Sequence, residues 1–193
     1  MRAQPGEVLH FSEDPTIEHF TPHIASTAHQ KDEAYVWAVD DARCPDYWFP
    51  RQCPRAMAWL SERTSESDRE RIIGAGCGER VHAVEYGWLD AMRTVRLWAY
   101  RLPAPVFRRF GDPPYAMVAT EPVEPLGPPE PVDDLFALHE QAGIQLRVLD
   151  NLWPFWDQVI ASTLEFSGIR LSNGRPRPAA TATMRTPGAR MGT

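Results

Sequence analysis

Alternating apolar and polar positions predict seven short β-strands along the chain. Their sequences are EVLHF (7–11), AYVWAVD (34–40), RAMAWLS (55–61), RVHAVEY (80–86), TVRLWAYRLP (94–103), YAMVATEPVEPL (115–126) and IQLRVLD (144–150). These runs are rich in β-branched and aromatic residues, which is typical of strands with a buried face. In the first run, the alternation directs Leu9 and Phe11 to the core and His10 and Ser12 to the opposite face.

Six segments between and after these strands carry helical signals. They are DPTIEHF (14–20), DARCPDYWF (41–49), SESDRERIIGA (65–75), YGWLDAMR (86–93), PVDDLFALHEQAG (131–143) and LWPFWDQVIASTLEF (152–166). Asp14, which precedes Pro15, is predicted to cap the first helix. Because helices and strands follow one another in mixed order, the pattern favours an α+β fold with a split, mostly antiparallel sheet and short flanking helices.

Length and composition fit one globular domain followed by a tail. A chain of 193 residues with 43% hydrophobic content can bury one core of ordinary size, which we assign to residues 1–173. Residues 174–193 are rich in Pro, Gly, Ala and Thr and are predicted to be disordered. No run of 18 or more apolar residues and no signal peptide is present, so we expect a cytoplasmic protein without a membrane segment.

Charge and cysteine content argue against several classes of function. Four of the 20 basic residues and none of the 26 acidic residues lie in 174–193, which leaves 16 basic residues in an acidic body. An acidic body argues against duplex nucleic acid as the partner, because Lys and Arg supply most of that affinity. Cys44, Cys53 and Cys77 form no CxxC pair or zinc spacing, so we expect reduced thiols and no metal.

The densest aromatic stretch, PDYWFPRQCPR (45–55), predicts a ligand cleft. Tyr47, Trp48 and Phe49 are adjacent and cannot all face one core. A cleft that contains Tyr47 or Trp48, with Arg51 nearby, suits a planar ring with an anionic group, because rings stack and guanidinium groups bind anions. A packed loop anchored by aromatic residues is the alternative interpretation.

Long ordered segments of the chain resemble a family of small bacterial proteins known only as a domain of unknown function. The segments are LHFSEDPTIEHFTPH, VWAVDDARCPDYWFPRQCPR, RVHAVEYGWLDAM, LWAYRLP, EPVEPL and NLWPFWDQVIASTLEFSGIRLSNG. The resemblance covers about residues 7–173 and implies no particular activity.

LHFSEDPTIEHFTP and YVWAVDDARCPDYWF also resemble, less closely, the start of ADP-ribosyltransferase-like domains. Those domains begin with a His-containing strand end, a turn ending in Phe-x-Pro, and a strand with an aromatic-Ala pattern. The resemblance implies that His10 and Ser12 contact a ribose, that Trp37 packs on a nicotinamide ring, and that Glu121 stabilises a cationic centre. The implied ligand is NAD or a related nucleotide.

Two functions are therefore open from the sequence. One is an ADP-ribosyltransferase-like enzyme, active or degenerate, with His10 and Glu121 as catalytic residues and a nucleotide in its cleft. The other is a non-catalytic module that binds a small molecule or a peptide in the aromatic and arginine cleft. Convergence of His10, Trp37 and Glu121 in one pocket would favour the enzyme. Each of these residues also has a structural interpretation, as a hydrogen-bonded, packed or solvent-facing side chain.

Overall fold

The structure is a computed structural model that describes residues 1–24, 33–76, 78–111 and 115–178. Within these ranges the chain forms ten β-strands, four short α-helices and four 3₁₀ helices. The strands are β1 (Glu7–Ser12), β2 (Val36–Ala38), β3 (Arg55–Trp59), β4 (Arg80–Glu85), β5 (Leu97–Pro103), β6 (Arg108–Phe110), β7 (Ala116–Ala119), β8 (Glu130–Val132), β9 (Ile144–Leu149) and β10 (Glu165–Ile169). The α-helices are α1 (Glu66–Asp68), continued by a π-helical turn over Arg69–Ile73, α2 (Leu89–Thr94), α3 (Leu135–Gln141) and α4 (Trp153–Ile160). The 3₁₀ helices are Asp41–Tyr47, Tyr86–Trp88, Ala104–Val106 and Leu171–Asn173.

The strands form three small sheets, which confirms the predicted α+β class with a split and mostly antiparallel arrangement. The first sheet has the order β1-β5-β8, the second β10-β3-β4-β9, and the third β2-β7-β6. Among these pairs only β4 and β9 run parallel. A parallel pair requires a long crossover, and the chain between β4 and β9 includes α2, four strands of the other sheets, and α3.

Two of the apolar clusters show how the sheets are covered. The second sheet packs against α4, where small side chains of β3 and β4, among them Ala56 and Ala83, lie in the same cluster as Phe155 and Val159. The first sheet packs against the third through a separate cluster. Its buried members are Val8, Phe20, Val36, Ala38, Tyr100, Leu102, Phe107, Ala119 and Val123. Small residues on a strand let a covering helix approach closely.

The candidate site lies where β1 meets the end of β2. Leu9 and Val39 exchange two main-chain hydrogen bonds, of 2.8 and 2.9 Å between N and O. Asp40 then caps the 3₁₀ helix Asp41–Tyr47 by accepting the main-chain N–H of Arg43. Residues of β1, β2 and this 3₁₀ helix are thereby brought together.

Residues 14–20 form no helix, contrary to the prediction. The Asp14 carboxylate accepts hydrogen bonds from the Thr16 main-chain N and hydroxyl, at 2.8 and 2.7 Å, and so closes a turn. The Tyr100 hydroxyl donates to the Asp14 carbonyl at 2.7 Å and accepts the Ile17 N–H at 3.1 Å. These contacts with β5 hold the segment extended.

Three strands were not predicted from the alternation. β6 has only three residues, and β8 lies in a proline-rich run, where it forms the edge of its sheet as proline requires. β10 lies at the end of the segment 152–166 that was predicted as one helix. The helix ends at Ile160 and the strand begins at Glu165.

Residues 174–178, the start of the predicted tail, lie against α4. The main-chain N of Arg175 donates to both carboxylate oxygens of Glu85, and the Trp153 indole N–H donates to the Arg175 carbonyl at 2.9 Å. Arg177 pairs with Asp157 at 3.0 Å. The rest of the predicted tail, 179–193, lies outside the described residues, as does Cys77.

Candidate functional site

A small cavity lies where β1, β2 and the 3₁₀ helix Asp41–Tyr47 meet. Its volume is about 80 Å³, and at roughly 10–15 Å³ per water it holds a handful of waters or one small ring. We call it the His10 cavity. Its lining residues are Leu9, His10, Phe11, Trp37, Ala38, Val39, Tyr47 and Ala116. His10, Trp37 and Tyr47, three of the predicted site residues, therefore come together.

His10 is fixed by one hydrogen bond and keeps one ring nitrogen open. Its Nδ1 lies 2.8 Å from the Trp37 carbonyl oxygen, which can only accept, so Nδ1 carries the proton. Nε2 is then a lone-pair acceptor, and it has no hydrogen-bond partner among the described residues. Burial lowers the pKa of His10, and the positive charge of Arg51 acts in the same direction, so the ring is neutral at pH 7.

Aromatic rings form much of the cavity wall. Phe11 and Tyr47 lie within 8° of parallel, with ring centroids 6.4 Å apart. Trp37 packs edge-on against Phe110, with centroids 5.5 Å apart. The Trp37 indole nitrogen is buried and has no hydrogen-bond partner in the described part of the chain. Leu9 is fully buried, as the alternation predicts, whereas Phe11 contributes to the cavity instead of the deep core.

Ser12 and Trp48, two further predicted site residues, take structural positions. Ser12 is buried at the end of β1, and its hydroxyl oxygen accepts the Asp14 N–H at 3.1 Å. Trp48 is 1% exposed, and its indole N–H donates to the Met1 carbonyl at 3.1 Å. Neither residue is part of the cavity wall.

Arg51 and Glu121 are both exposed. The main-chain N of Arg51 donates to the Glu13 carboxylate at 2.7 Å, and the charge of Arg51 reaches His10. Glu121 lies in the bend that follows β7 and does not line the cavity. The structure thus brings His10 and Trp37 together without Glu121.

Sequence reasoning did not identify a buried polar network that includes Asp46, the residue before Tyr47 in the 3₁₀ helix. The Arg80 Nε–H donates to His82 Nε2 at 2.8 Å, because arginine can only donate. His82 must then donate from Nδ1 to His139 Nε2, at 3.0 Å, and His139 Nδ1 donates to the Leu135 carbonyl at 2.6 Å. Burial lowers the pKa of both histidines, that of His82 well below its usual value, so both are neutral.

Asp46 is the anionic centre of this network. The residue is fully buried, and its two carboxylate oxygens pair with Arg80 and with Arg43, the latter at 2.9 Å. Arg80 also lies over the Trp59 ring, 4.3 Å from its centroid. The available signal was the alternation of RVHAVEY, which puts Arg80 and His82 on the same face of β4.

Among the described residues, neither the thiols nor the potential metal ligands form a further reactive site. Cys44 and Cys53 are free and buried, and burial raises the pKa of each thiol to about 12, so both stay protonated at neutral pH. In the ranges that the structure describes, no group of three or more His, Cys, Asp or Glu side chains is arranged to hold a metal ion.

Comparison with known proteins gives one match. The model of a family of unknown function (DUF6886) matches residues 9–174. No curated protein and no solved structure matches the chain at a significant level. Over the described ranges, none of the helices has the length and apolar character needed to span a membrane.

Proposed function

The chain belongs to DUF6886, a family of unknown function, and we propose that it is a small-ligand-binding module whose His10 cavity takes the planar ring of a nucleotide-type ligand. The observation that carries this proposal is the open Nε2 of His10 beside aromatic walls. A neutral imidazole held in one tautomer accepts a hydrogen bond from a ring N–H or a hydroxyl. The ligand is therefore expected to present such a donor.

The walls of the cavity suit a planar group. Phe11 and Tyr47 present nearly parallel rings, and a ring that enters the cavity can lie against either face. Trp37 also lines the cavity, but its indole nitrogen is buried and has no partner among the described residues. His10 is therefore the group that would bind a hydrogen-bond donor of the ligand.

The exposed Arg51 supports an anionic group on the same ligand. Its main-chain N is bonded to Glu13, one residue past the end of β1, which carries His10, and its side chain faces solvent. The cavity has room for a ring only, and the remainder of a nucleotide would lie outside, within reach of this arginine.

An ADP-ribosyltransferase-like enzyme is the second candidate, favoured by the contact between His10 and Trp37. That chemistry needs a carboxylate beside the ribose, and Glu121 is exposed and absent from the cavity wall. A binding role needs only the residues that do meet. We therefore rank binding above catalysis.

Thermal unfolding with NAD, ADP-ribose and AMP tests the proposal. A ligand present at 100 times its dissociation constant stabilises the native state by about 2.7 kcal/mol, which corresponds to several degrees. We expect at least one of the three to raise the melting temperature, and His10→Ala to abolish that rise while changing stability by only about 1 kcal/mol. His19→Ala, at an exposed histidine paired with Glu124, is the matched control and should keep the response.

The same samples separate the two candidates. If the protein binds NAD without consuming it, the binding module stands; if it consumes NAD and Glu121→Gln stops the reaction, the enzyme replaces it. A response to none of the three probes, or an unchanged response in His10→Ala, would contradict the proposed ligand class.

A further inference from the structure

The segment GRPRP (174–178) is bound to the start of α4 through its main chain. The buried carboxylate of Glu85 accepts the Arg175 N–H with its two oxygens, at 3.1 and 2.9 Å. The Trp153 indole N–H donates to the Arg175 carbonyl, and the Asn151 side-chain N–H donates to the carbonyl of the proline that follows, both at 2.9 Å. Because proline has no N–H, these contacts satisfy every main-chain polar group of this Arg-Pro pair.

The groups that bind the segment are positioned by hydrogen bonds within the domain. Glu85 also accepts the Leu152 N–H at 3.0 Å, and the Asn151 side-chain oxygen accepts the Trp153 main-chain N–H at 2.9 Å. Neither bond involves the segment, so both side chains keep their orientation when it is absent. The family model matches residues 9–174, which include all four of these residues and only the first residue of the segment. The binding surface therefore belongs to the family domain, and most of its occupant does not.

The two arginines of the segment are bound through their side chains as well. Arg177 forms a paired contact with Asp157, from its two terminal nitrogens to the two carboxylate oxygens, at 3.0 and 3.1 Å. Its guanidinium also lies over the Trp153 ring, 4.5 Å from the centroid. Arg175 pairs with Asp150. A paired fork and a stacked guanidinium face favour arginine over lysine.

Gly174 and Pro176 restrict which sequences fit. A Cβ atom at position 174 would lie 3.1 Å from a Glu85 carboxylate oxygen and 3.2 Å from the Leu171 carbonyl oxygen, which is closer than most real contacts of this kind. A larger residue would therefore push the segment away from the carboxylate that binds the next N–H. Pro176 disfavours a helical backbone at Arg175, which lowers the entropy lost on binding. The surface accordingly suits the order Gly-Arg-Pro-Arg.

We propose that this surface binds a Gly-Arg-Pro-Arg segment of a partner protein, and that residues 174–178 occupy it as an internal competitor. We call it the tail surface, and its side chains are Glu85, Asp150, Asn151, Trp153 and Asp157. Its two arginine–aspartate pairs are exposed and add little to the stability of the fold, whereas complementary charges at a surface select a partner and speed its association. None of the five residues lines the His10 cavity, so this proposal does not rest on the ligand proposed there.

Fluorescence anisotropy with a labelled GRPRP peptide tests the tail surface in the full chain. A tethered segment acts at an effective concentration in the millimolar range, so the parent protein should bind the peptide weakly. In the double variant Arg175→Ala and Arg177→Ala, the segment loses both ion pairs and its stacking on Trp153. Since both side chains are exposed, the fold should not change, and we expect this variant to bind the peptide at least tenfold more tightly than the parent.

Three controls separate recognition from a general attraction between a cationic peptide and a protein of net charge −6. A peptide with the same five residues in scrambled order should bind the double variant at least tenfold more weakly than GRPRP does. Asp157→Asn, added to the double variant, removes the carboxylate that pairs with the second arginine and should weaken GRPRP binding at least threefold. Asp90→Asn, added in the same way, removes the carboxylate of the exposed pair with Arg93 and should leave binding unchanged.

The absence of saturable GRPRP binding by the double variant, or equal affinity for the scrambled peptide, would overturn the proposal. So would equal affinity in the parent and the double variant, or an equal loss with Asp157→Asn and Asp90→Asn, because the peptide would then bind elsewhere. Dimerisation of the parent protein that the double variant loses would assign the tail surface to a second copy of this chain, and a different partner protein would be ruled out.

Discussion

His10 and the pair His82–His139 differ in how completely their ring nitrogens are satisfied. In the pair, every nitrogen has a partner, from the Arg80 guanidinium at one end to the Leu135 carbonyl at the other. His10 has one partner on Nδ1 and none on Nε2 among the described residues. All three histidines are neutral because burial lowers the pKa of each.

The difference separates a structural network from a candidate binding group. A closed chain of hydrogen bonds has no donor or acceptor left for a ligand, and opening it leaves buried groups unpaired. An open nitrogen at a cavity can accept a ligand donor without breaking any bond of the fold. A ring nitrogen without a hydrogen-bond partner therefore distinguishes a candidate binding histidine from a structural one better than burial or the number of histidines does.

Replacement of Asp46 should give the largest loss of stability. Asp46→Ala leaves Arg43 and Arg80 without their shared carboxylate, and breaking a buried ion pair costs about 3–5 kcal/mol. Urea unfolding should show this loss. Asp90→Ala, in a solvent-exposed pair with Arg93, should leave the midpoint nearly unchanged. Equal midpoints for the two variants would show that the network is not a stability element.

Acidification should destabilise the protein through the histidines. The folded pKa of His10, His82 and His139 lies below the unfolded value near 6.5, so the unfolded chain binds more protons as the pH falls below that value. Each neutral histidine then contributes a slope of up to about 1.4 kcal/mol per pH unit. Urea midpoints between pH 7.5 and 5 measure this slope. His10→Ala should reduce this slope only by the contribution of His10. A urea midpoint that does not change with pH would mean that His82 and His139 accept protons without loss of stability.

Removal of residues 174–193 should cause an intermediate loss of stability, because it removes a hydrogen bond to the buried Glu85 carboxylate. Glu85 is buried, and its carboxylate accepts the N–H groups of Leu152 and Arg175. Losing the second contact costs about 1–3 kcal/mol, or several degrees of melting temperature. Removal of 179–193 alone should leave the melting temperature unchanged. If both truncations melt alike, the contacts of 174–178 do not contribute to stability.

Trp37→Phe should change stability least. The substitution loses apolar contact but also removes a buried N–H that has no partner in the described ranges, so the two effects nearly cancel, to within about 0.5 kcal/mol. Ligand binding should weaken if the indole N–H contacts the ligand. A loss above 2 kcal/mol would show that Trp37 acts mainly through packing, as a core residue.

The strands that follow a two-residue period could be predicted, and each exception has a physical reason. β1 and β4 show clear alternation and lie where EVLHF and RVHAVEY were predicted. β10 was hidden because its apolar residues continue the helical pattern of α4. Residues 14–20 carry a helix start signal that contacts with Tyr100 override. Local sequence does not show such distant contacts.

The cavity was partly predictable and the buried network was not. His10 and Trp37 were identified from the resemblance to ADP-ribosyltransferase-like domains, and Tyr47 from an aromatic cluster. His82 and His139 are 57 residues apart, and each is an ordinary residue of a strand or a helix in the sequence. Only the fold shows that they meet, because α3 packs beside β9, the parallel neighbour of β4.

The pairing of β1 with β5 also affects how the protein is made. The register joins Glu7 to Pro103, and the Tyr100 hydroxyl reaches back across 86 residues to Asp14. Closing so long a loop costs chain entropy before any contact forms, which slows folding. Since Ala116 lines the His10 cavity, a nascent chain lacks part of the cavity wall until the ribosome has released Ala116.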